Sequence, residues 1–297
     1  MPDVSLRSLA RRMPSLTRAA DWWSHKVPIV LAVAFLVLLG SGPAPEIGVG
    51  QASWSVLAFL VAVIGVAGLG HVINDLFDAE QDRAAGRARA AAEAGPRTRL
   101  ALFAGLTAAA LVPWTYLPAD ALVWGLLGLE LALLVGYSTP PVRAKERGGL
   151  ALLFDASYAY VVPLALAVAT FSNLPVGPSD DLGAITAAVL VWSLAVGLRS
   201  IVFHQIDDLE DDRAAGVNTW VVRVGRPTAR KVLGPLLVLE GAGLAAVVVT
   251  ATARLPLLGP LLALGVAYRW FQLRVLAGLD AAVEEVVDPE RRLRRIA

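Results

Sequence analysis

The 297-residue chain has no cysteine, only three histidines and two methionines. Without cysteine there is no disulfide, no thiolate catalysis and no Cys-ligated metal. His25, His71 and His204 are too few and too scattered for a His-rich zinc site. Charge is also scarce. Only 17% of residues are charged and the formal net charge is +1, so no global field suggests a nucleic-acid partner. What is abundant is apolar surface. The chain is 57% hydrophobic, with a mean hydropathy of +0.63. A soluble domain is about 45–50% apolar and about 25% charged, so this composition marks an all-α polytopic membrane protein.

A bilayer-spanning helix takes about 20 mostly apolar residues. Eight such segments are expected, at 24–40, 53–74, 99–116, 119–137, 150–171, 182–206, 232–252 and 255–274. The first, "VPIVLAVAFLVLLG", also has the length of a signal-peptide core, and its removal would leave the rest of the reading unchanged. Trp22, Trp23, Trp54, Trp114, Trp192 and Trp270 fall near segment ends, as an interfacial aromatic belt would place them. Residues 1–21 read as an N-terminal segment, 22–276 as the membrane domain and 277–297 as a charged tail. Arginine and lysine crowd into the N-terminus, alternate loops and the tail, whereas the opposite loops hold one basic residue, Arg254. The positive-inside rule then puts both termini and every acidic motif on the cytoplasmic side of a cell membrane.

Acids break this apolar pattern twice. "NDLFDAEQDRAAG" begins at residue 74, and "HQIDDLEDDRAAG" at 204, each directly behind an apolar run. They align without gaps, pairing Asp78 with Asp208, Asp82 with Asp212 and Arg83 with Arg213. Four spans separate them, so both copies face one side and the halves form a parallel repeat. On a continuous helix Asn74, Asp75, Asp78 and Asp82 would share one side. In the second copy His204 and Gln205 replace Asn74 and Asp75. Carboxylates one turn apart repel, and acids at a membrane boundary are costly. A cation offsets both. Hard oxygen donors without a His/Cys cluster suit Mg²⁺, which commonly takes one or two carboxylates and completes its shell with substrate phosphates and water. The pair therefore reads as a clamp for a diphosphate held through Mg²⁺.

Between the copies lies "YSTPPVRAKERGG", residues 137–149. Its prolines stiffen the connector, which holds Arg143, Lys145 and Arg147 near the membrane face. Arg143 and Lys145 can bind diphosphate oxygens directly, with Tyr137 orienting one of them by a hydrogen bond. Arg199, two turns inside the sixth segment, and Arg213 complete the cations assigned to the diphosphate. His71, His204 and Gln205 are further candidates.

These residues resemble the UbiA superfamily of intramembrane prenyltransferases. "NDLFDAEQD" is similar to its NDxxDxxxD motif and "DLEDD" to its second, DxxxD motif. The loop at 137–149 resembles the YSxPPxRxKERG loop known from chlorophyll synthase-like and homogentisate-type members. The resemblance implies a helical bundle around a central cavity and Mg²⁺-dependent transfer of a polyprenyl group from its diphosphate to a lipophilic or aromatic acceptor. It implies that Asn74, Asp75, Asp78, Asp82, Asp208 and Asp212 hold two Mg²⁺ ions and the diphosphate, with Lys145 and Arg143 as diphosphate cations. Asp207 and Asp211 offer a second frame for the DxxxD motif, although the repeat favours Asp208 and Asp212. The family usually has nine helices, against eight counted here. Where it often has a Lys-Pro-x-Arg-Pro-like segment, this chain has "GRARAAAEAGP". Two rival functions share the site: a terpene cyclase of the same family that needs no second substrate, and a carrier that moves a polyprenyl phosphate intact.

Overall fold

The computed structural model of the chain describes residues 6–40, 48–84, 86, 88–174 and 182–256, with 259, 260, 264 and 267 beyond them. Every regular element among these is helical. Six helices are long and apolar enough to cross a membrane: α3 (Val49–Phe77), α6 (Pro96–Leu111, extended by a 3₁₀ turn to Thr115), α7 (Ala121–Ser138), the joined α8 and α9 (Gly149–Ser172), α10 (Gly183–Asp207) and α13 (Arg226–Arg254). The shorter α2 (Val27–Gly40) is equally apolar. Seven of the eight expected spans are thus accounted for. The eighth, at 255–274, lies largely outside the described residues, as do Trp270 and the tail at 277–297. Backbone contacts divide the chain into two units, residues 1–247 and 248–297. All residues of the site belong to the first.

The short helices lie at the mouths of the long ones: α1 (Leu6–Leu16), α4 (Ala79–Ala84), α5 (Ala90–Glu93), α11 (Leu209–Ala214) and α12 (Trp220–Val224). Local chemistry sets several boundaries. Pro96 starts α6, where its missing N–H would have no partner anyway. Asp120 caps α7 by accepting a hydrogen bond from the Val123 N–H at 2.9 Å. Polar residues extend α3 and α13 beyond their apolar runs, which is why the sequence places those ends several residues too far inward.

Between helices in lipid there is little hydrophobic driving force, so close packing through small residues carries the association. α3 packs chiefly on α6, and α10 on α8. At Gly65 an added Cβ would sit 2.3 Å from the Ala110 N, and at Gly197 it would sit 2.8 Å from the Ala156 Cα. Neither site has room for a larger side chain. Leu122, Trp124, Leu129, Leu153 and Val191 point their apolar side chains outward, as a lipid-facing surface requires.

Two of the expected belt tryptophans lie inside instead. Trp22 and Trp114 are only 2% and 3% exposed. Each indole N–H has a local carbonyl, Thr17 O at 2.9 Å and Ala110 O at 2.8 Å. Trp23 and Trp54 remain half exposed, consistent with an interface.

Candidate active site

The acidic repeat is a repeat of backbone as well as of sequence. α3 ends at Phe77 and α10 at Asp207. Asp78 and Asp208 then leave helical geometry, with φ −99° and −84°, and each is followed by a six-residue helix. In both copies the cap N–H bonds back one turn, from Asp78 to Asn74 O at 2.9 Å and from Asp208 to His204 O at 3.0 Å. The next turn repeats as well, from Asp82 to Asp78 O and from Asp212 to Asp208 O, both at 2.8 Å. Gly86 and Gly216 close the copies with φ of 71° and 68°, a left-handed conformation natural to glycine. This equivalence selects the Asp208/Asp212 frame. Asp207 faces the same cavity but has no counterpart in the first copy.

The expectation of one continuous helix face is corrected here. Because the helix ends at Phe77, Asn74 and Asp78 stay on the inner side while Asp75, one residue and 100° round from Asn74, turns away. Asp75 is fully buried, outside the cavity lining, and its Oδ1 lies 3.4 Å from the Arg18 Nη1. It fixes the N-terminal segment and is not placed to ligate a metal. Its counterpart Gln205 does similar work, accepting the Val221 N–H at 3.2 Å and so tying down α12.

The 139–148 loop docks on the first acidic bank. Lys145 forms an ion pair with Asp78 and donates to Asn74 Oδ1 at 3.4 Å. Arg143, itself at φ 38°, reaches Asp78 at 3.3 Å, Gln81 at 2.9 Å and Glu146 at 2.6 Å. Ser138 donates to Asn74 Oδ1 at 2.9 Å. Burial lowers the Lys145 ammonium below the usual lysine range, and the charge of Asp78 offsets part of this. For Glu146, burial pushes upward, but the Arg143 hydrogen bond and charge outweigh it and hold the carboxyl below its ordinary value. Arg89, from the stretch where the family pattern lapses, lies 3.1 Å from Asp82. On the second bank Asp212 accepts from the Thr219 hydroxyl at 3.1 Å, and Asp208 faces His204 at 3.5 Å.

Both banks open onto one cavity of about 690 Å³. Asn74, Asp78, Asp82, Tyr137, Lys145, Asp208 and Asp212 line it, together with His71, His204 and Gln205. Among the described residues Arg143, Arg199 and Arg213 are not part of the lining. Arg143 acts through Asp78 and Gln81. Arg199 does not face the diphosphate site. It forms a two-pronged ion pair with Glu240 of α13, because a charge inside a span needs an opposite charge beside it. Arg213 pairs with Glu210 at 3.3 Å on the surface. Tyr137 meets the ring of Tyr158 at 5.2 Å, in place of the expected hydrogen bond to a loop cation. His71 stacks on Trp22 with centroids 6.4 Å apart.

Several lining residues are not among the site residues that the sequence motifs mark. The stretch set apart as an N-terminal segment contributes Arg18 and Asp21, and Trp22, His25 and Lys26 follow directly behind it. Glu130, Asp155, Tyr158, Tyr160 and Ser200 line the part of the cavity within the spans. Their signal was available. A lone acid in "LLGLELALLVG" is itself a reason to look for function. Tyr158 and Tyr160 sit in a π-helical turn, Ser157–Val161, that joins α8 to α9. Such turns often occur at functional sites, but sequence does not announce them.

The donor set can be tested against a metal. Among the described residues no three His, Cys, Asp or Glu side chains converge into a self-sufficient site. The cavity offers carboxylates from two sides instead. That suits Mg²⁺, which fills the rest of its shell with phosphate oxygens and water.

Among the described residues the chain is a bundle of helices with two acidic banks facing one cavity, and its six long apolar helices mark an integral membrane protein. The chain belongs to the UbiA prenyltransferase family, whose model matches residues 27–283. It is 33% identical over 165 residues to the lycopene elongase/hydratase of Halobacterium salinarum, covering 53% of each chain. It is 30% identical over 149 residues to the homogentisate phytyltransferase of Synechocystis sp., covering 46% of each. The matches thus span about half the length of these curated relatives. The fold is shared with a UbiA homolog from Archaeoglobus fulgidus. The structure of that protein bound to DMAPP and Mg²⁺ gives a TM-score of 0.60 at 19% identity, over 88% of this chain and 86% of the other. Its GPP and Mg²⁺ complex gives 0.61 at 19% identity over the same shares.

Proposed function

We propose that the protein transfers a prenyl group from an isoprenyl diphosphate, held with Mg²⁺, to a lipophilic or aromatic acceptor and releases diphosphate. The observation that carries this reading is the duplicated acidic cap facing one cavity from two helices. The A. fulgidus homolog of the same fold binds DMAPP or GPP with Mg²⁺, and the curated relatives are named for prenyl transfer and elongation. The mouth of the cavity is assigned to the cytoplasmic side by the arginine distribution.

Asn74, Asp78 and Asp82 on one bank, and Asp208 and Asp212 on the other, would hold two metal ions against the diphosphate. Bound there, Mg²⁺ supplies Lewis-acid stabilisation of the charge that develops on the leaving diphosphate. Lys145 stands on the same bank and adds a fixed positive charge. The C1–O bond of the donor breaks and its electron pair leaves with the diphosphate. The allylic cation would form in the cavity that Tyr137 and Tyr158 line, where their rings can offer cation–π stabilisation. The spans that enclose the inner cavity would limit the water that quenches it. The π pair of the acceptor then forms the new C–C bond to C1, and the acceptor loses a proton to the released diphosphate or to a carboxylate of the site.

The test uses purified protein in lipid nanodiscs with GPP, Mg²⁺ and a panel of polyene and aromatic acceptors. Diphosphate release and a prenylated acceptor are expected in the wild type, both reduced by at least about 10²-fold in Asp78→Ala and in Asp208→Ala. Unchanged turnover in both variants would refute the assignment. A cyclic hydrocarbon or alcohol formed from donor alone would identify a cyclase, and an intact diphosphate ester a carrier.

A further inference from the structure

The cavity runs far down α3. Between His71 and Phe59 the residues of that helix that line it are only glycine, alanine and valine, from Gly70 to Ala62. They fall at three- and four-residue steps, so they form one smooth face. The face ends at Phe59, which is 1% exposed. Two rings stand edge-on to it, Trp114 with centroids 5.9 Å apart and Phe171 at 5.2 Å. Trp114 lines the cavity too, and its indole N–H is already given to Ala110 O. Phe171 is fully buried behind Phe59. Val30 of α2 and Leu166 of α9 add apolar walls to the same cavity. Phe59 lies fifteen residues below Asn74 on one unbroken helix, a depth of about 22 Å. An isoprene unit adds four chain bonds of about 1.5 Å, which project to about 5 Å when extended. The depth therefore takes about four units.

We infer that Phe59 and Trp114 form a floor that limits the donor's prenyl tail to about four isoprene units, an inference resting on the function proposed above. The diphosphate anchors C1 at the level of Asn74 and Asp78. The tail then follows the small-residue face of α3 inward, because that is where it sheds most water. Each further unit buries more apolar surface until the fourth reaches the two rings. A fifth unit would have to stand where the Phe59 ring stands. That ring has no room to swing aside, since Trp114 and Phe171 hold it from two sides. A shorter tail leaves the deep end without contact partners. The site thus grades donors by length. The ruler is stiff because one helix, α3, carries both the anchor at its C-terminal end and the floor.

The experiment measures binding of four donors with Mg²⁺ to wild type, Phe59→Ala and Val63→Phe in nanodiscs, with diphosphate release read in parallel. The donors are GPP, farnesyl diphosphate, geranylgeranyl diphosphate and the five-unit geranylfarnesyl diphosphate. Wild-type affinity should rise about 10-fold or more from GPP to the four-unit donor. It should fall about 10-fold or more at five units, where the tail is overpacked against the floor. Phe59→Ala removes a ring about the size of one unit and should bring the five-unit donor to within about 3-fold of the four-unit one. Val63→Phe places a ring one turn above the floor and should move the optimum to farnesyl diphosphate. GPP affinity should stay within about 2-fold of wild type in both, because its tail ends above either change. Val63→Phe fills space, so it reports on length even if the hole left by Phe59→Ala loosens the bundle. A loosened bundle weakens all four donors alike, whereas a moved floor reorders them. Wild type indifferent to tail length overturns the inference. So does Val63→Phe with the wild-type order of donors or without GPP binding. A shift in acceptor choice with donor order unchanged also overturns it and gives the deep end to the acceptor. If no donor of any length binds with Mg²⁺ or releases diphosphate, the proposed function itself fails.

Discussion

Replacing Arg18 with methionine tests whether Asp75 is a strut or a metal ligand. Arg18 Nη1 lies 3.4 Å from Asp75 Oδ1, with side-chain exposures of 23% and 0%. At an effective dielectric of about 20 the direct attraction is about 5 kcal/mol, much of it consumed by desolvation. Removing one member of a buried pair costs about 3–5 kcal/mol, because the remaining charge is stranded. The partial exposure of Arg18 places this case near 3 kcal/mol. Asp75 Oδ2 has no hydrogen bond to fall back on. Asp21, the other partner of Arg18, is 45% exposed and can be rehydrated. At about 2–4 °C per kcal/mol, Arg18→Met should lower the Tm in detergent by about 10 °C. Asp75→Asn removes the charge with the shape kept and should lose only about 1 kcal/mol. The double variant should recover most of the Arg18→Met loss, since no charge is then stranded. Differential scanning fluorimetry reads all three, and GPP binding with Mg²⁺ is measured alongside. An Arg18→Met protein of unchanged Tm refutes the reasoning. So does an Asp75→Asn protein that keeps its Tm but loses Mg²⁺-dependent donor binding, because Asp75 would then be a ligand after all.

Three other outcomes follow from the geometry. Gly65→Val forces a side chain into the Ala110 backbone, 2.3 Å from the first added carbon, and should lower stability by at least about 1–3 kcal/mol, visible as loss of the monodisperse peak on size exclusion. Thr219→Ala removes both the cap of α12 and the hydroxyl that holds Asp212. It should cost about 1 kcal/mol in thermal stability and raise the Mg²⁺ concentration for half-maximal activity by about 10-fold or more. Arg199→Met strands Glu240 within the spans and should destabilise by about 3 kcal/mol in a melt, while GPP affinity stays near wild type, because Arg199 is outside the cavity.

The spans and the acidic pair were legible because both are local. Twenty apolar residues or an i, i+4 acid spacing can be seen without knowing what lies opposite. Choice of partner was not legible. Arg199 turns to Glu240, 41 residues on, and Asp75 to Arg18, 57 residues back. Nothing in either neighbourhood favours those partners over the diphosphate site, since only helix packing decides the encounter. The belt reading of Trp22 and Trp114 failed for the same reason, as position at a span's end does not say which way the ring points. Glu130 is a different case. Its isolation in an apolar run was a usable signal, and the acidic motifs drew attention from it.

The duplicated motif has kept its backbone and changed its neighbours. Both copies have the same cap, the same short helix and the same closing glycine. Yet Asp78 meets Lys145 and Arg143, and Asp82 meets Arg89. Asp208 meets a histidine and Asp212 a threonine hydroxyl. The cations of the first bank come from 139–148 and from 89, stretches that follow the first copy and precede the second. A symmetric clamp would hold a diphosphate in either of two orientations. Lys145 and Arg143 beside Asp78 would break that degeneracy, because anionic oxygens would be drawn towards Lys145. A diphosphate held in one orientation would in turn fix where C1 and the tail lie relative to α7.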